Sequence, residues 1–131
     1  SGLYMICTLS KHYAEMKHYD DSLMLDYKGR VAESTGSNIF FVKKGILYTP
    51  IADCFLNGIT RKTIVSLAKK NNIKVYEKHI FPKELLKAEE VFLTGTAVEI
   101  TPVSQIDNKK FRIGPVTKRL IELFNNLVGK V

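Results

Sequence analysis

The sequence predicts an α/β or α+β domain in which helices flank a mixed sheet. Segments with strand-like apolar patterns are interleaved with segments whose apolar residues recur at helical spacing. The chain has 131 residues, of which 45% are apolar. It can therefore bury one sizeable core, and no Gly/Ser/Pro-rich linker divides it. We expect residues 1–131 to form a single domain.

The first half of the chain predicts one helix followed by two β-hairpins. Apolar residues at roughly helical spacing favour a helix over residues 2–17. The apolar segments 22–26 and 31–34 flank a Tyr-Lys-Gly-Arg turn, which is typical of a hairpin. The segments 38–43 and 46–49, joined by a Lys-Gly turn, predict the second hairpin.

The second half predicts three helices and further strands. A polar loop over 50–57 leads into an amphipathic helix over 58–70, which is expected to end at Asn71-Asn72 because Asn tolerates the left-handed conformation. Proline in the first turn marks two more helices, a short one over 82–87 and a last one that opens at Gly114-Pro115. Apolar runs predict the other strands, over 73–77, 91–93, 98–106 and 111–113.

The net charge of +7 raises the question of a nucleic-acid partner. The lysines are spread along the chain, and the largest basic cluster is Lys109, Lys110 and Arg112. Basic and aromatic residues are not arranged as in a single-strand binding groove, so we interpret the charge as a solvated surface. No apolar run is long enough to span a bilayer, and no leader-like segment opens the chain. We expect a soluble part of a longer protein, with no nucleic-acid or membrane partner.

The cysteines and histidines predict no metal site. Cys7 and Cys54 do not make a disulfide framework, and no Cys/His cluster has the spacing of metal ligands. We interpret the three histidines as surface residues. A reducing, cytoplasmic location fits this composition.

Residues 55–61, Phe-Leu-Asn-Gly-Ile-Thr-Arg, predict a phosphate-binding site where a loop leads into a helix. The first backbone N–H groups of a helix have no partner inside it, and the macrodipole places partial positive charge there. Gly58 allows close approach to the backbone, and the Thr60 hydroxyl is a further donor. The alternative is an ordinary helix start with Asn as its N-cap.

Two other polar stretches are candidates for the same ligand. Thr94-Gly95-Thr96-Ala97 separates two apolar segments with small residues whose backbone N–H groups can face an anion, although a tight β-turn is the alternative. Glu33 lies at the end of a hairpin, before small polar residues. It is either an ordinary exposed acid or a carboxylate that keeps a proton on a heterocyclic nitrogen.

The three stretches together resemble the fold type IV pyridoxal-phosphate enzymes, and most of all the branched-chain amino acid aminotransferases. The resemblance rests on Glu-Ser-Thr-Gly-Ser-Asn-Ile-Phe from Glu33, Gly-Ile-Thr-Arg from Gly58, and Phe-Leu-Thr-Gly-Thr-Ala-Val-Glu-Ile-Thr-Pro-Val from Phe92, in that order and spacing. It covers nearly the whole chain and corresponds to the C-terminal domain of that family. It therefore implies a pseudo-barrel of hairpins and strands with flanking helices.

The resemblance also implies how this chain binds the ring of pyridoxal 5'-phosphate. Glu33 would pair with the pyridine nitrogen and keep it protonated, so that the ring accepts electrons. Leu56 would pack on the ring face, and Tyr4 would lie near the ring hydroxyl.

Three residues would hold the cofactor phosphate through backbone N–H and hydroxyl groups, as donors suited to an anion. By the resemblance they are Ile59, Thr60 and Thr96. The backbone N–H groups of Thr96 and Ala97 would bind the substrate carboxylate.

The family's Schiff-base lysine lies a few residues before the position of Tyr4, so we expect it upstream of Ser1. Lys11 and Lys17 lie beyond that position. We expect no catalytic residue in this chain and no activity from the chain alone. The family's N-terminal domain, with much of the substrate pocket, is expected outside it, in an enzyme that is a dimer or larger.

The activity implied is transamination of leucine, isoleucine or valine with 2-oxoglutarate. D-amino acid transamination and aminodeoxychorismate lysis are alternatives within the same fold. A non-catalytic basic domain that binds phosphates or nucleic acid is an alternative from another class.

Overall fold

The computed structural model describes residues 4–12, 17–25, 31–34, 37–51, 58–95 and 100–129. In these residues nine strands form one mixed sheet with three helices. The strands are β1 Tyr4–His12, β2 Lys17–Leu25, β3 Val31–Ser34, β4 Ser37–Lys43, β5 Ile46–Pro50, β6 Val75–Lys78, β7 Glu90–Gly95, β8 Ile100–Ile106 and β9 Lys109–Lys110. The helices are α1 Ile59–Lys70, α2 Pro82–Leu86 and α3 Pro115–Leu127.

The pairing of β3 with β4 closes most of the sheet into a ring. The strand order is β3-β2-β1-β8-β7-β4-β5-β6, with β9 on β8, and β3 meets β4 at Ser34 and Ser37. Strands β3, β2, β1, β8, β7 and β4 therefore form a closed set, as a pseudo-barrel requires. Of the described pairs, only β5 and β6 are parallel, and α1 connects them. The predicted mixed sheet with flanking helices is confirmed.

The core lies on both faces of β4, because successive side chains of a strand point to opposite faces. Phe40 and Val42 face α1 and α3, and Phe40 stacks on Phe92 of β7 with ring centroids 5.0 Å apart. Buried residues of the first cluster are Phe40, Val42, Leu47, Ile64, Ala68, Phe92, Leu120 and Phe124. Those on the other face are Ile39, Phe41, Ile80, Leu85, Ala88, Val91, Leu93, Val103, Ile106 and Phe111.

The predicted hairpins and the three later helices are present. Strands β2 and β3 pair antiparallel, as do β4 and β5. Helix α1 ends as expected, because Asn72 has a φ of 63° and the backbone N–H of Ile73 donates to the Ala68 carbonyl at 2.9 Å. That bond uses Ile73 to close the helix, so β6 starts at Val75, two residues later than predicted.

The prediction of a first helix over 2–17 is wrong, because this segment contributes β1. Residues 4–12 pair antiparallel with β2 on one side and with β8 on the other. Met5, Cys7 and Leu9 also recur with the period of two of a strand, so the local pattern fits both structures. Two neighbouring strands supply the backbone hydrogen bonds that decide between them.

The strand predicted over 111–113 is also wrong. Strand β9 is Lys109–Lys110, and the Phe111 N–H makes one more bond, of 2.8 Å, to the Ser104 carbonyl. Phe111 is apolar because it packs in the core, not because it continues the strand. Pro115 begins α3 four residues later, so the chain has to leave the sheet.

Candidate functional site

The three stretches singled out in the sequence converge on the start of β4. Ser37 pairs with Ser34, at the end of the strand that carries Glu33. Asn38 pairs with Thr94 of β7, and Ser37 pairs with Gly95. Gly58, just before α1, is also close to Asn38, because a Cβ atom on Gly58 would lie 2.9 Å from Asn38 Oδ1. The described ends of the three loops therefore meet around Ser37 and Asn38.

The N-terminus of α1 has no side-chain cap and no acidic residue in its first turn. Its N-cap is Gly58, which is extended (φ −65°, ψ 151°). The first bond inside the helix runs from the Lys62 N–H to the Gly58 carbonyl, at 3.1 Å. The N–H groups ahead of Lys62 therefore have no acceptor within the helix, and they carry the positive end of its dipole.

Two residues of this turn differ in their exposure to solvent. Ile59 is 85% exposed, which is unusual for a large apolar side chain, and Thr60 is half-buried. The Ile59 carbonyl accepts a bond of 3.0 Å from the Thr63 hydroxyl, so the turn is ordered from within.

Thr94 places a buried hydroxyl next to the same point. The residue is 1% exposed, and its Oγ1 has no hydrogen-bond partner among the described residues. A buried hydroxyl without a partner costs free energy, so such groups in native proteins commonly bind a ligand, water or nearby chain. Thr94 opens the stretch that continues through Gly95, where β7 ends.

Tyr4 and Glu33 lie on either side of the same residue of the sheet. Met24 of β2 pairs with Tyr4 of β1 and with Glu33 of β3. Three adjacent strands therefore bring the two predicted ring-binding residues together, although they are far apart in the sequence. Leu56, Thr96 and Ala97 lie outside the described residues.

Arg61 is a residue of this region whose importance the sequence reasoning missed. It is 1% exposed, and its Nη2 donates to the Pro50 carbonyl and to Glu77. A signal was present, because Arg61 stands three and seven positions before Ile64 and Ala68, on the buried stripe of α1. A charged residue on such a stripe indicates that its charge has a partner.

Over the described ranges, no group of three or more His, Cys, Asp or Glu residues could hold a metal ion. In the same part of the chain, no helix is long and apolar enough to cross a bilayer.

Comparison with known proteins identifies clear relatives. Residues 1–106 match the family described as Amino-transferase class IV. The branched-chain-amino-acid aminotransferase of Pseudomonas aeruginosa is 43% identical over 132 residues, which cover 98% of this chain and 43% of that protein.

Solved structures give the same relationship. The branched-chain aminotransferase of Thermoproteus uzoniensis, solved with norvaline, is 42% identical with a TM-score of 0.80, over 82% of this chain and 37% of that one. An aminotransferase of Brucella abortus, bound to the cofactor PLP, is 34% identical with a TM-score of 0.80, over 83% of this chain and 39% of that one. The chain spans less than half the length of each of these three proteins.

Proposed function

Because the chain belongs to the amino-transferase class IV family, we propose that it is the cofactor-binding part of a branched-chain amino acid aminotransferase. The complete enzyme transfers the amino group of leucine, isoleucine or valine to 2-oxoglutarate. The observation that carries the proposal is the meeting of three polar stretches around Ser37 and Asn38. The relatives named above support the substrate class and the cofactor.

The described residues fit pyridoxal 5'-phosphate. The uncapped start of α1 suits a phosphate group, since the first-turn N–H groups need acceptors and the dipole favours negative charge. Gly58 has no room for a side chain on the side of Asn38, so the backbone itself forms the surface there. The Thr94 hydroxyl, which lacks a partner among the described residues, is a polar group on the neighbouring strand.

In the proposed site, the phosphate accepts hydrogen bonds from the N–H groups at Ile59 and Thr60, from the Thr60 hydroxyl and from Thr96. Each of these is a donor to an anion, which makes the bonds charge-assisted. Backbone N–H groups at Thr96 and Ala97 bind the substrate carboxylate in the same way.

Glu33 would hold a proton on the pyridine nitrogen, and Tyr4 would lie near the ring hydroxyl. When bound, the cofactor supplies a ring that accepts electrons from the substrate α-carbon. The carboxylate of Glu33 stabilises the positive charge on the nitrogen and so keeps the ring electron-deficient. Leu56 covers a ring face and excludes water from it.

The remaining parts belong to the rest of the enzyme. The resemblance implies that the Schiff-base lysine precedes Tyr4, and that an N-terminal domain completes the substrate pocket. We also propose a dimer or larger oligomer and a cytoplasmic location.

Steady-state assays of the full-length enzyme test this function. Leucine, isoleucine and valine with 2-oxoglutarate should be converted, whereas D-alanine and aminodeoxychorismate should not. The branched-chain relatives described above favour neither of those two alternatives. Turnover of D-alanine in place of leucine would contradict the proposal. Salt-dependent oligonucleotide binding without pyridoxal phosphate binding would favour the basic binding domain instead.

A further inference from the structure

Arg61 connects the first turn of α1 to two strands of the sheet. It is the largest of the fully buried side chains of the described residues. Its Nη2 atom donates to the Pro50 carbonyl oxygen at 2.9 Å and to Glu77 Oε1 at 2.5 Å. A guanidinium Nη atom carries two hydrogens, so these two acceptors engage both of them.

The two acceptors lie on neighbouring strands of the sheet. Pro50 is the last residue of β5, and Glu77 belongs to β6, its parallel neighbour. Residues 51–58 connect Pro50 to the start of α1. The bond from Arg61 to Pro50 therefore joins the two ends of the connection that contains Leu56.

The contacts of the Arg61 side chain affect how the backbone N–H groups of Ile59 and Thr60, which precede it in α1, are oriented. Arg61 follows Thr60 directly, and a helical turn moves as a unit because its backbone dihedrals are fixed together. Holding the guanidinium in place therefore fixes the direction of the N–H groups at Ile59 and Thr60. A donor misplaced by about 1 Å loses much of a hydrogen bond to an anion.

We propose that Arg61 is a positioning residue for the cofactor phosphate. It anchors the first turn of α1 to β5 and β6, so that the N–H groups at Ile59 and Thr60 converge on one phosphate without a contact from Arg61 itself. This inference rests on the proposed function, since it concerns the same site.

Glu77 distinguishes positioning from a simple charge effect. If Arg61 acted only through its positive charge, removal of the Glu77 carboxylate would strengthen phosphate binding, because a nearby negative charge is lost. If Arg61 acts by position, Glu77→Gln weakens phosphate binding, because the guanidinium loses an ionised acceptor. The two mechanisms predict effects of opposite sign.

The test is titration of the full-length apoenzyme with pyridoxal phosphate and, separately, with pyridoxal, which lacks the phosphate. The variants are Arg61→Met, Glu77→Gln and the control Lys62→Met. Lys62 is an exposed cation next to Arg61 on the same helix, so it controls for loss of positive charge. Arg61→Met should weaken pyridoxal phosphate binding by roughly 10- to 100-fold. Glu77→Gln should weaken it by a smaller factor.

The ratio of the two affinities is the decisive quantity. Both variants should lower the preference for pyridoxal phosphate over pyridoxal, and Lys62→Met should leave it unchanged. Two results would overturn the role of Arg61. One is an unchanged ratio, including an equal loss of affinity for both ligands, and the other is tighter binding of pyridoxal phosphate by Glu77→Gln. If Arg61→Met does not fold, Glu77→Gln decides alone, because the Glu77 side chain is 52% exposed.

The two proposals fail in different ways. A parent enzyme that does not bind pyridoxal phosphate would overturn the proposed function and this inference together. A parent that binds it, with variants that keep the parental ratio, would remove only the role of Arg61.

Discussion

The Glu90 side chain accepts a hydrogen bond of 2.7 Å from the backbone N–H of Thr117, so an acid from β7 caps α3. The Val116 N–H approaches the same carboxylate at 3.4 Å. Helix α3 has no side-chain cap of its own at Gly114, and a Cβ there would lie 2.3 Å from Glu90 Cδ. The start of α3 is thus attached to the strand that ends, at Gly95, beside the candidate site.

Glu90→Ala should therefore loosen the start of α3. Glu90 is 4% exposed, and its removal leaves the buried N–H group of Thr117 without this acceptor, at an expected cost of about 2 to 4 kcal/mol. Amide hydrogen exchange of α3 in the full-length enzyme measures this local stability. Glu122→Ala is the control, since Glu122 is an exposed acid of the same helix and should cost less than about 0.5 kcal/mol. Exchange in Glu90→Ala as slow as in the control would contradict the capping role.

Gly58→Ala should weaken cofactor binding through a contact with Asn38. The φ of Gly58, −65°, is available to alanine, so the backbone is not strained. The added Cβ would lie 2.9 Å from Asn38 Oδ1, which forces a local shift at the meeting point of the three stretches. We expect the dissociation constant of pyridoxal phosphate to rise by roughly tenfold.

A double-mutant cycle measures the coupling of these two residues. In an Asn38→Ala background the obstructing amide is gone, so Gly58→Ala should have little further effect on cofactor affinity. Additive losses in the double variant would show that the contact between Gly58 and Asn38 is not the cause.

The elements that were predicted correctly are those whose sequence pattern fits only one type of secondary structure. Helix α1 has an apolar stripe, a glycine before it and asparagines after it, and all three signals agree. The β4–β5 hairpin has a run of apolar residues on each side of a turn in which Lys44 and Gly45 have positive φ. Strand β1 lacks such agreement, because its apolar residues satisfy both periods. Only its pairing with β2 and β8 decides the structure, and that pairing is not local.

The candidate site was also predictable only in part. The three polar stretches are visible in the sequence because small and hydroxyl residues interrupt apolar segments. Their meeting at Ser37 and Asn38 depends on strand order, which local patterns do not give. Arg61 was missed because its acceptors, Pro50 and Glu77, become its neighbours only when β5 and β6 pair.

Thr60→Val should weaken pyridoxal phosphate binding by about 10- to 100-fold. The proposed bond to the phosphate would be charge-assisted and worth roughly 1.5 to 3 kcal/mol, while the shape of the side chain is nearly kept. Thr63→Val is the matched control, because the Thr63 hydroxyl donates to the Ile59 carbonyl within the helix. Thr96→Val, on the opposite stretch, should behave like Thr60→Val. Titration of the full-length apoenzyme measures the affinity of all three variants for pyridoxal phosphate. Parental affinity in both Thr60→Val and Thr96→Val would contradict the proposed phosphate-binding site.

Glu33→Gln should leave the cofactor bound but slow removal of the substrate α-proton by roughly 10²- to 10³-fold. The backbone places Glu33 and Tyr4 on either side of Met24, on neighbouring strands of the sheet. An amide carries no negative charge, so the pyridine nitrogen would lose the partner that keeps it protonated. Stopped-flow measurement of the half-reaction with leucine, with and without deuterium at the α-carbon, separates this step from binding. Glu122→Gln, which changes a distant exposed acid of α3, should react at the parental rate. A Glu33→Gln enzyme as fast as the parent would mean that Glu33 is only an acid at the end of a strand, and the pyridine nitrogen would need another partner.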